Sequence, residues 1–307
     1  MPDMYPVLVG VGHCCQDTIC TVEAYPPEDG STHITDMDSS QGGGAVATAL
    51  VAACKLGVST AMLANLGDDP AGDQILAEFE HYGVDVRGIE RIAGGRSSTS
   101  YVMVNPQRGT RTKFPYRDSL PPLALDTGRQ QLLRHAQVLH LDGTQYDNAL
   151  AAATLAKRYG VTVSLDGCSV QADNRQNLQL ASMADILIVN AKYPFRVTGR
   201  DSLTDAMRDL AALGEKKAVI ATFGSDGCYA WLDGGLAHFT AAAVQAVDTT
   251  GAGDVFHGAY LAAYLQGKDT RACIRFAAAT AALKCLHVGG RKGIPTYAQA
   301  EAFAQSL

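Results

Sequence analysis

The chain has 307 residues, 47% hydrophobic and 18% charged, with a formal net charge of −6. Such a composition can bury a core without disulfide or metal staples, and its acidic balance gives no basic field for a nucleic-acid backbone or an anionic membrane. The opening Met1-Pro2-Asp3-Met4-Tyr5-Pro6 lacks the cationic start and apolar run of a secretory signal, and no stretch reaches the roughly 18 apolar residues of a membrane span. A cytosolic protein is expected, in which eight scattered cysteines without a Cys-x-x-Cys pair serve as small apolar fillers.

Short apolar runs recur along the chain, at Val7–Val11, Thr60–Asn65, Gln137–Leu141, Val161–Leu165, Asp185–Asn190 and Ala218–Thr222. Segments of helical period separate most of them: Ala45–Leu56, Ala71–Tyr82, Tyr146–Tyr159 and Leu203–Leu213. This alternation predicts an α/β domain, a mostly parallel sheet with helices on both faces, whose ligands bind beyond the carboxyl ends of the strands. Two stretches break the rhythm, 18–36 and 97–116, where β-branched residues alternate as in antiparallel strands; the second pair joins at Asn105-Pro106-Gln107-Arg108-Gly109. They read either as one small sheet forming a lid over the crevice or as edge strands of the main sheet. No repeat, linker or charge run marks a second domain.

Gly42-Gly43-Gly44-Ala45-Val46-Ala47 formally matches a G-x-G-x-x-A dinucleotide string, but its approach, Asp36–Gln41, is polar and not a buried strand. As a glycine-rich turn it still lets a ligand approach the backbone closely. A phosphate loop of the G-x-x-x-x-G-K-[ST] type is absent, and no His-x-x-x-His pair indicates zinc. The most informative stretch is Ala246–Ala259. A small-residue loop enters a helix over 252–267, so the backbone N–H groups of Gly251, Ala252 and Gly253 converge at its positive end, an anion site. Asp254 at the rim is either an ordinary first-turn capping residue or a carboxylate placed to take a proton from a hydroxyl. His257, one turn further, either packs on the helix or faces the same site. Ala272–Leu286 reads as an alanine-rich helix stopped by Gly289-Gly290.

The string Asp248-Thr249-Thr250-Gly251-Ala252-Gly253-Asp254, followed by an aromatic residue and Gly258, closely resembles the second signature of the PfkB (ribokinase-like) carbohydrate kinases. The resemblance covers essentially the whole chain. It implies a single ribokinase-like domain over 1–307 with a β lid, and transfer of the γ-phosphoryl of ATP, with Mg²⁺, to a primary hydroxyl. Asp254 would be the general base and Gly251, Ala252 and Gly253 the anion hole. Gln41–Leu56 takes the place of the first signature, putting Gly42, Gly43 and Gly44 against the sugar, while Asp17 matches the acidic residue that hydrogen-bonds sugar hydroxyls. Asn190 occupies the start of the family's Asn-x-x-Glu element, whose Glu position is here Tyr193. Thr222, Gly224 and Gly227 would hold ATP phosphates, and Gly289 would lie beside the adenine. In many members the residues equivalent to Asp248 and Thr250, with nearby carbonyls, form a monovalent-cation site, which implies a place for K⁺. Lid similarity to ketohexokinases, through Tyr25–Asp29, Gly109–Phe114 and Asp118–Pro121, turns Arg111 toward the sugar and makes a ketose or ketose derivative the expected acceptor. Asp248–Ala259 and Ala281–Pro295 are also similar to sulfofructose kinases. A kinase of nucleosides or vitamin-like alcohols, and a non-catalytic sensor of sugars or nucleotides, are the alternatives. The family lid implies a homodimer.

Overall fold

The computed structural model describes residues 5–108, 110–168 and 170–307; Gly109, placed by the sequence in the lid turn, lies outside them. The chain begins with β1 (Leu8–Val11), β2 (Cys15–Val22), β3 (Ile34–Gly43), α1 (Ala45–Lys55), β4 (Thr60–Gly67), α2 (Pro70–Tyr82) and β5 (Ile89–Ile92). It continues through β6 (Thr99–Asn105), β7 (Thr110–Tyr116), α3 (Thr127–His135), β8 (Val138–Leu141), α4 (Tyr146–Tyr159), β9 (Thr162–Asp166) and α5 (Asn174–Met183). The remainder is β10 (Ile186–Asn190), α6 (Tyr193–Thr198), α7 (Leu203–Ala211), β11 (Ala218–Thr222), β12 (Cys228–Leu232), β13 (Gly235–Phe239), α8 (Ala252–Leu265), α9 (Thr270–Lys284) and α10 (Tyr297–Gln305).

A nine-stranded sheet runs β13-β12-β11-β10-β9-β8-β1-β4-β5, parallel from β11 to β5. Its apolar runs are buried on both faces, as a sheet covered by helices requires. Successive residues of a strand point to opposite faces, and accordingly Leu8 joins the core shared with α1, α8 and α9, whereas Val9 joins the core shared with α3, α4 and α7. The edge pair β12 and β13 is antiparallel and was not anticipated from the sequence. Helix α2 shows how local signals set element bounds. The Asp69 side chain accepts from the Gly72 N–H at 2.9 Å, Pro70 opens the helix, and Gly83 ends it at φ 80°.

The predicted lid is a separate four-stranded sheet, β3-β2-β6-β7. Its outer pairs are antiparallel and its central pair, β2 with β6, is parallel. The lid strand expected to end near 36 runs further: β3 continues to Gly43, mostly exposed along 36–39, and delivers the glycines from the lid straight into α1. Helices α1 and α8 cross so closely at Gly258 that a Cβ there would lie 2.2 Å from the Ala49 carbonyl oxygen. That contact brings the N-termini of the two helices, and so both glycine-rich turns, to the same crevice beneath the lid.

Candidate active site

At the start of α8, Gly251 is left-handed with φ 73°, and a Cβ on it would come within 2.9 Å of the Gly290 carbonyl oxygen. Only glycine fits both constraints. The Gly251 carbonyl accepts from the Val255 N–H at 2.8 Å, opening the helix. The Ala252 N–H donates to the Thr249 carbonyl at 3.2 Å, so it is consumed by the turn; this corrects the expectation that it belongs to the anion hole. The N–H groups of Gly251, Gly253 and Asp254 have no partner among the described residues. They remain as the converging donors at the positive helix end.

Burial, reinforced by the negative charge of Asp166, pushes the Asp254 carboxyl up to about 6, against the opposing pull of His257, Lys113 and Arg291. A carboxylate near neutrality suits proton transfer at physiological pH. Asp166, at the end of β9, is 4% exposed, accepts from the Cys168 N–H at 2.8 Å and lies 3.4 Å from His257 Nε2. Burial opposes its ionisation, yet the His257 charge and hydrogen bond hold it below the usual carboxylate range. His257 therefore faces the site as well as packing on its helix. Behind it, burial and His257 depress His140 to about 3, so that ring is neutral.

Asp17 on β2 is 9% exposed and accepts from the Cys15 thiol at 3.3 Å. Gly43 lies against it: a Cβ there would be 2.3 Å from Asp17 Oδ2. Gly44 has φ 99° and would clash with the His13 carbonyl, while a side chain on Gly42 would collide with Glu78 and Arg291. Gly43 thus borders the predicted sugar carboxylate, and Gly42 and Gly44 are glycine for close packing. Arg291, 2% exposed, donates to the Gly43 carbonyl at 3.0 Å and to Thr48 Oγ1 at 3.2 Å, and pairs with Glu78. It ties the turn at Gly289–Gly293 to the glycine-rich turn before α1 and to α2. Strand periodicity puts Arg111 and Lys113 on the same lid face as Asp17, with Lys113 paired opposite Val102 and Val102 opposite Ile19. Lys113 acts on Asp254, and Arg111 on Lys284.

Next to the nest lies a largely apolar cavity of about 410 Å³ lined by Thr222, Gly224, Gly227, Ala252, Gly253 and, on its walls, Val244, Phe256 and Ala282. Three of the predicted nucleotide residues therefore share one pocket with the anion site. Asn190 and Gly289 do not line it. Asn190 pairs with Thr222 across β10 and β11, but its Oδ1 accepts from the N–H groups of Lys192 and Tyr193, at 3.0 and 3.2 Å, closing the turn that leads into α6. Tyr193, in the expected Glu position, is 2% exposed with its hydroxyl directed at the Asn177 carbonyl. The Gly289 N–H donates to Asp248 Oδ2 at 2.8 Å, and its α-carbon packs on Gln41 rather than beside the cavity. The other Asp248 oxygen takes the Thr250 N–H at 2.8 Å. Those two N–H bonds hold the Asp248 carboxyl below its ordinary range in spite of burial. The carbonyls of Asp248 and Thr250 both accept from the Lys284 ammonium.

Arg291, Lys284 and Asp166 escaped sequence reasoning because each is an isolated charged residue in an unremarkable local setting. Their partners are tens to hundreds of positions away.

Comparison with known proteins accords with this geometry. The family described as pfkB family carbohydrate kinase matches residues 7–297. The chain is 28% identical over 302 residues to an ATP-dependent ribose-1-phosphate kinase of Halopiger xanaduensis, covering 98% of this chain and 97% of that one. It is 27% identical to a nucleoside kinase of Methanothermobacter thermautotrophicus, covering 95% and 94%. Among solved structures, an Arabidopsis thaliana ribokinase complexed with ribose and ATP superposes with a TM-score of 0.85 at 26% identity, over 98% of this chain and 99% of that one.

Proposed function

This chain belongs to the pfkB family of carbohydrate kinases, phosphotransferases with an alcohol group as acceptor, and from that premise we propose that it transfers the γ-phosphoryl of MgATP to the primary hydroxyl of a pentose or pentosyl compound. The observation that carries the reading is a carboxyl of near-neutral pKa, Asp254, at the rim of unpaired main-chain amides that open onto an apolar cavity of nucleoside size. The cavity takes the adenosine, and the phosphates extend toward Gly253. Asp254 accepts the proton of the acceptor hydroxyl as its oxygen bonds to the γ-phosphorus and the bond to the ADP oxygen breaks. The Gly251 and Gly253 amides stabilise the charge on the moving phosphoryl group. Asp17 holds acceptor hydroxyls, and Lys113 and Arg111 close over them with the lid, excluding water. Mg²⁺ enters as part of MgATP. An ion that keeps most of its water shell reaches the site with the nucleotide.

The pentose assignment rests on the relatives, whose names specify ribose 1-phosphate, nucleoside, ribose and deoxyribose. All contain a pentose carrying a primary hydroxyl. The ketose expectation rests on lid likeness alone. ADP release measured against ribose, 2-deoxyribose, ribose 1-phosphate, inosine and fructose, with the product located by ³¹P NMR, tests both. Fastest turnover is expected on a pentose-containing acceptor, with phosphate on its primary carbon. A preference for fructose would overturn the acceptor assignment, and acceptor-independent ADP release would overturn the transferase reading.

A second copy is the proposed partner of the lid. Met37, Tyr101, Phe114 and Tyr116 leave one lid face between 47% and 61% exposed. Sedimentation should show a dimer that Phe114→Asp weakens. Eight scattered cysteines without a Cys-x-x-Cys pair suit a reducing compartment, and we propose the cytosol.

A further inference from the structure

Lys284 ends α9, and its side chain is 0% exposed. A buried ammonium is costly unless oxygen atoms replace its water shell. Here the replacements are the Asp248 carbonyl, at 3.0 Å, and the Thr250 carbonyl, with the Asp248 carboxylate in the same loop adding negative charge. Those carbonyls belong to the two residues at which the family resemblance implies a K⁺ site. A metal ion there would need the same oxygens and would stand against a fixed positive charge. The residues present do not fit K⁺.

We propose that Lys284 is a tethered substitute for a monovalent metal ion, positioning the loop that carries the anion hole. Its ammonium gathers the Asp248 and Thr250 carbonyls, three residues and one residue before Gly251, so the turn into α8 keeps its left-handed φ of 73° and the Gly251 N–H stays directed outward. Asp248 completes the tie through the N–H groups of Thr250 and Gly289. An ion delivered by solvent would leave the loop sensitive to salt composition; a lysine anchored in a helix does not. Lys284 acts through the loop and is thus a positioning residue.

The inference rests on the kinase reading for its kinetic arm, and its thermal arm is independent of any turnover. Melting temperature and, with the best acceptor, kcat and KM are measured in tetramethylammonium chloride and in KCl, NH₄Cl and NaCl at equal ionic strength, for wild type, Lys284→Ala and Lys284→Met. The wild-type protein should melt and turn over identically in all four salts, within twofold for kcat. Lys284→Ala, which leaves room for an ion and water, should lose about 100-fold in kcat with little change in acceptor KM, comparable to the loss of one oxyanion donor. KCl or NH₄Cl should saturably restore part of that kcat and raise the melting temperature of the alanine variant. Lys284→Met fills the space with methylenes and should show neither response. Stabilisation or activation of the wild type by K⁺ would overturn the proposal, as would Lys284→Ala that keeps its kcat without a cation or stays indifferent to K⁺. Should the alanine variant not fold, the wild type decides: indifference to K⁺ supports the substitution and a K⁺-dependent melt refutes it. Salt-indifferent melting of the wild type together with absent acceptor turnover would leave the lysine assignment standing and remove the kinase reading instead.

Discussion

Replacing Arg291 by Met keeps most of the side-chain volume and removes the charge. The guanidinium is 2% exposed and its partner Glu78 is 14% exposed at the side chain, so the pair is largely cut off from water. Without it, Glu78 is a half-buried carboxylate deprived of its guanidinium partner, and the Gly43 carbonyl and Thr48 hydroxyl lose donors. Breaking a buried pair from one side costs about 3–5 kcal/mol. For a chain of 307 residues, the unfolding entropy is about 0.6 kcal/mol per degree, so the expected loss is about 5–8 °C in melting temperature. Urea denaturation at pH 7.5 measures it directly. Glu78→Gln combined with Arg291→Met should recover about 1–3 kcal/mol relative to the sum of the single changes, since the unpaired charge is then gone. The loss should also reach the chemistry: Arg291 draws the Asp254 carboxyl down, so its removal shifts the acidic limb of kcat/KM to higher pH. A variant that loses less than about 1 kcal/mol, or a strictly additive double variant, would refute the reasoning that this guanidinium clamps the turn before α1 to α2.

In the wild type, kcat/KM should fall about tenfold per pH unit below about 6, because Asp254 must be ionised to accept a proton and burial has raised it there. Asp166→Asn removes the second cause of that elevation and should move the limb to lower pH; an unmoved limb would leave burial as the sole cause. The same raised pKa means that the folded state binds this proton more tightly than the unfolded chain does, so its contribution to stability declines as pH rises from 3.8 through about 6. Asp17→Ala should raise the acceptor KM far more than that for ATP, and equal effects on both would remove Asp17 from the acceptor site. Gly258→Ala puts a methyl 2.2 Å from the Ala49 carbonyl oxygen and should cost about 1–3 kcal/mol in thermal or urea unfolding; a neutral result would mean that α1 and α8 can part without strain.

Much of the fold was legible because a buried parallel strand announces itself. Leu8–Val11 and Ile186–Val189 are continuous apolar runs, and Val138–Leu141 is interrupted only by His140; none has another sensible placement. Strand β3 was cut short near 36 because Asp36 and Asp38 are polar, and their polarity reflects a lid sheet with an exposed face rather than a loop. The edge strands β12 and β13 are short and only partly buried, so their signal is weak against the neighbouring turns. The expectation of an anion hole came from consecutive small residues at a helix start, Gly251 to Gly253. That the Ala252 amide is used within the turn could not be read, because whether an N–H faces solvent or closes a 3-10 turn depends on dihedral angles that small residues leave free. Lys284 reads locally as a cation complementing a helix C-terminus. Its true partners, Asp248 and Thr250, lie more than thirty positions earlier and meet it only after α8 and α9 have packed.

The claim on which the account stands is that one carboxyl, at position 254, takes the proton of the acceptor alcohol. Single-turnover transfer from γ-³²P-ATP to the preferred acceptor at pH 7.5, comparing wild type with Asp254→Asn, addresses it most directly. The account predicts a transfer rate about 10²–10⁴-fold lower in the variant, with ATP binding and melting temperature preserved. A variant that transfers phosphate within a few-fold of the wild-type rate would contradict it.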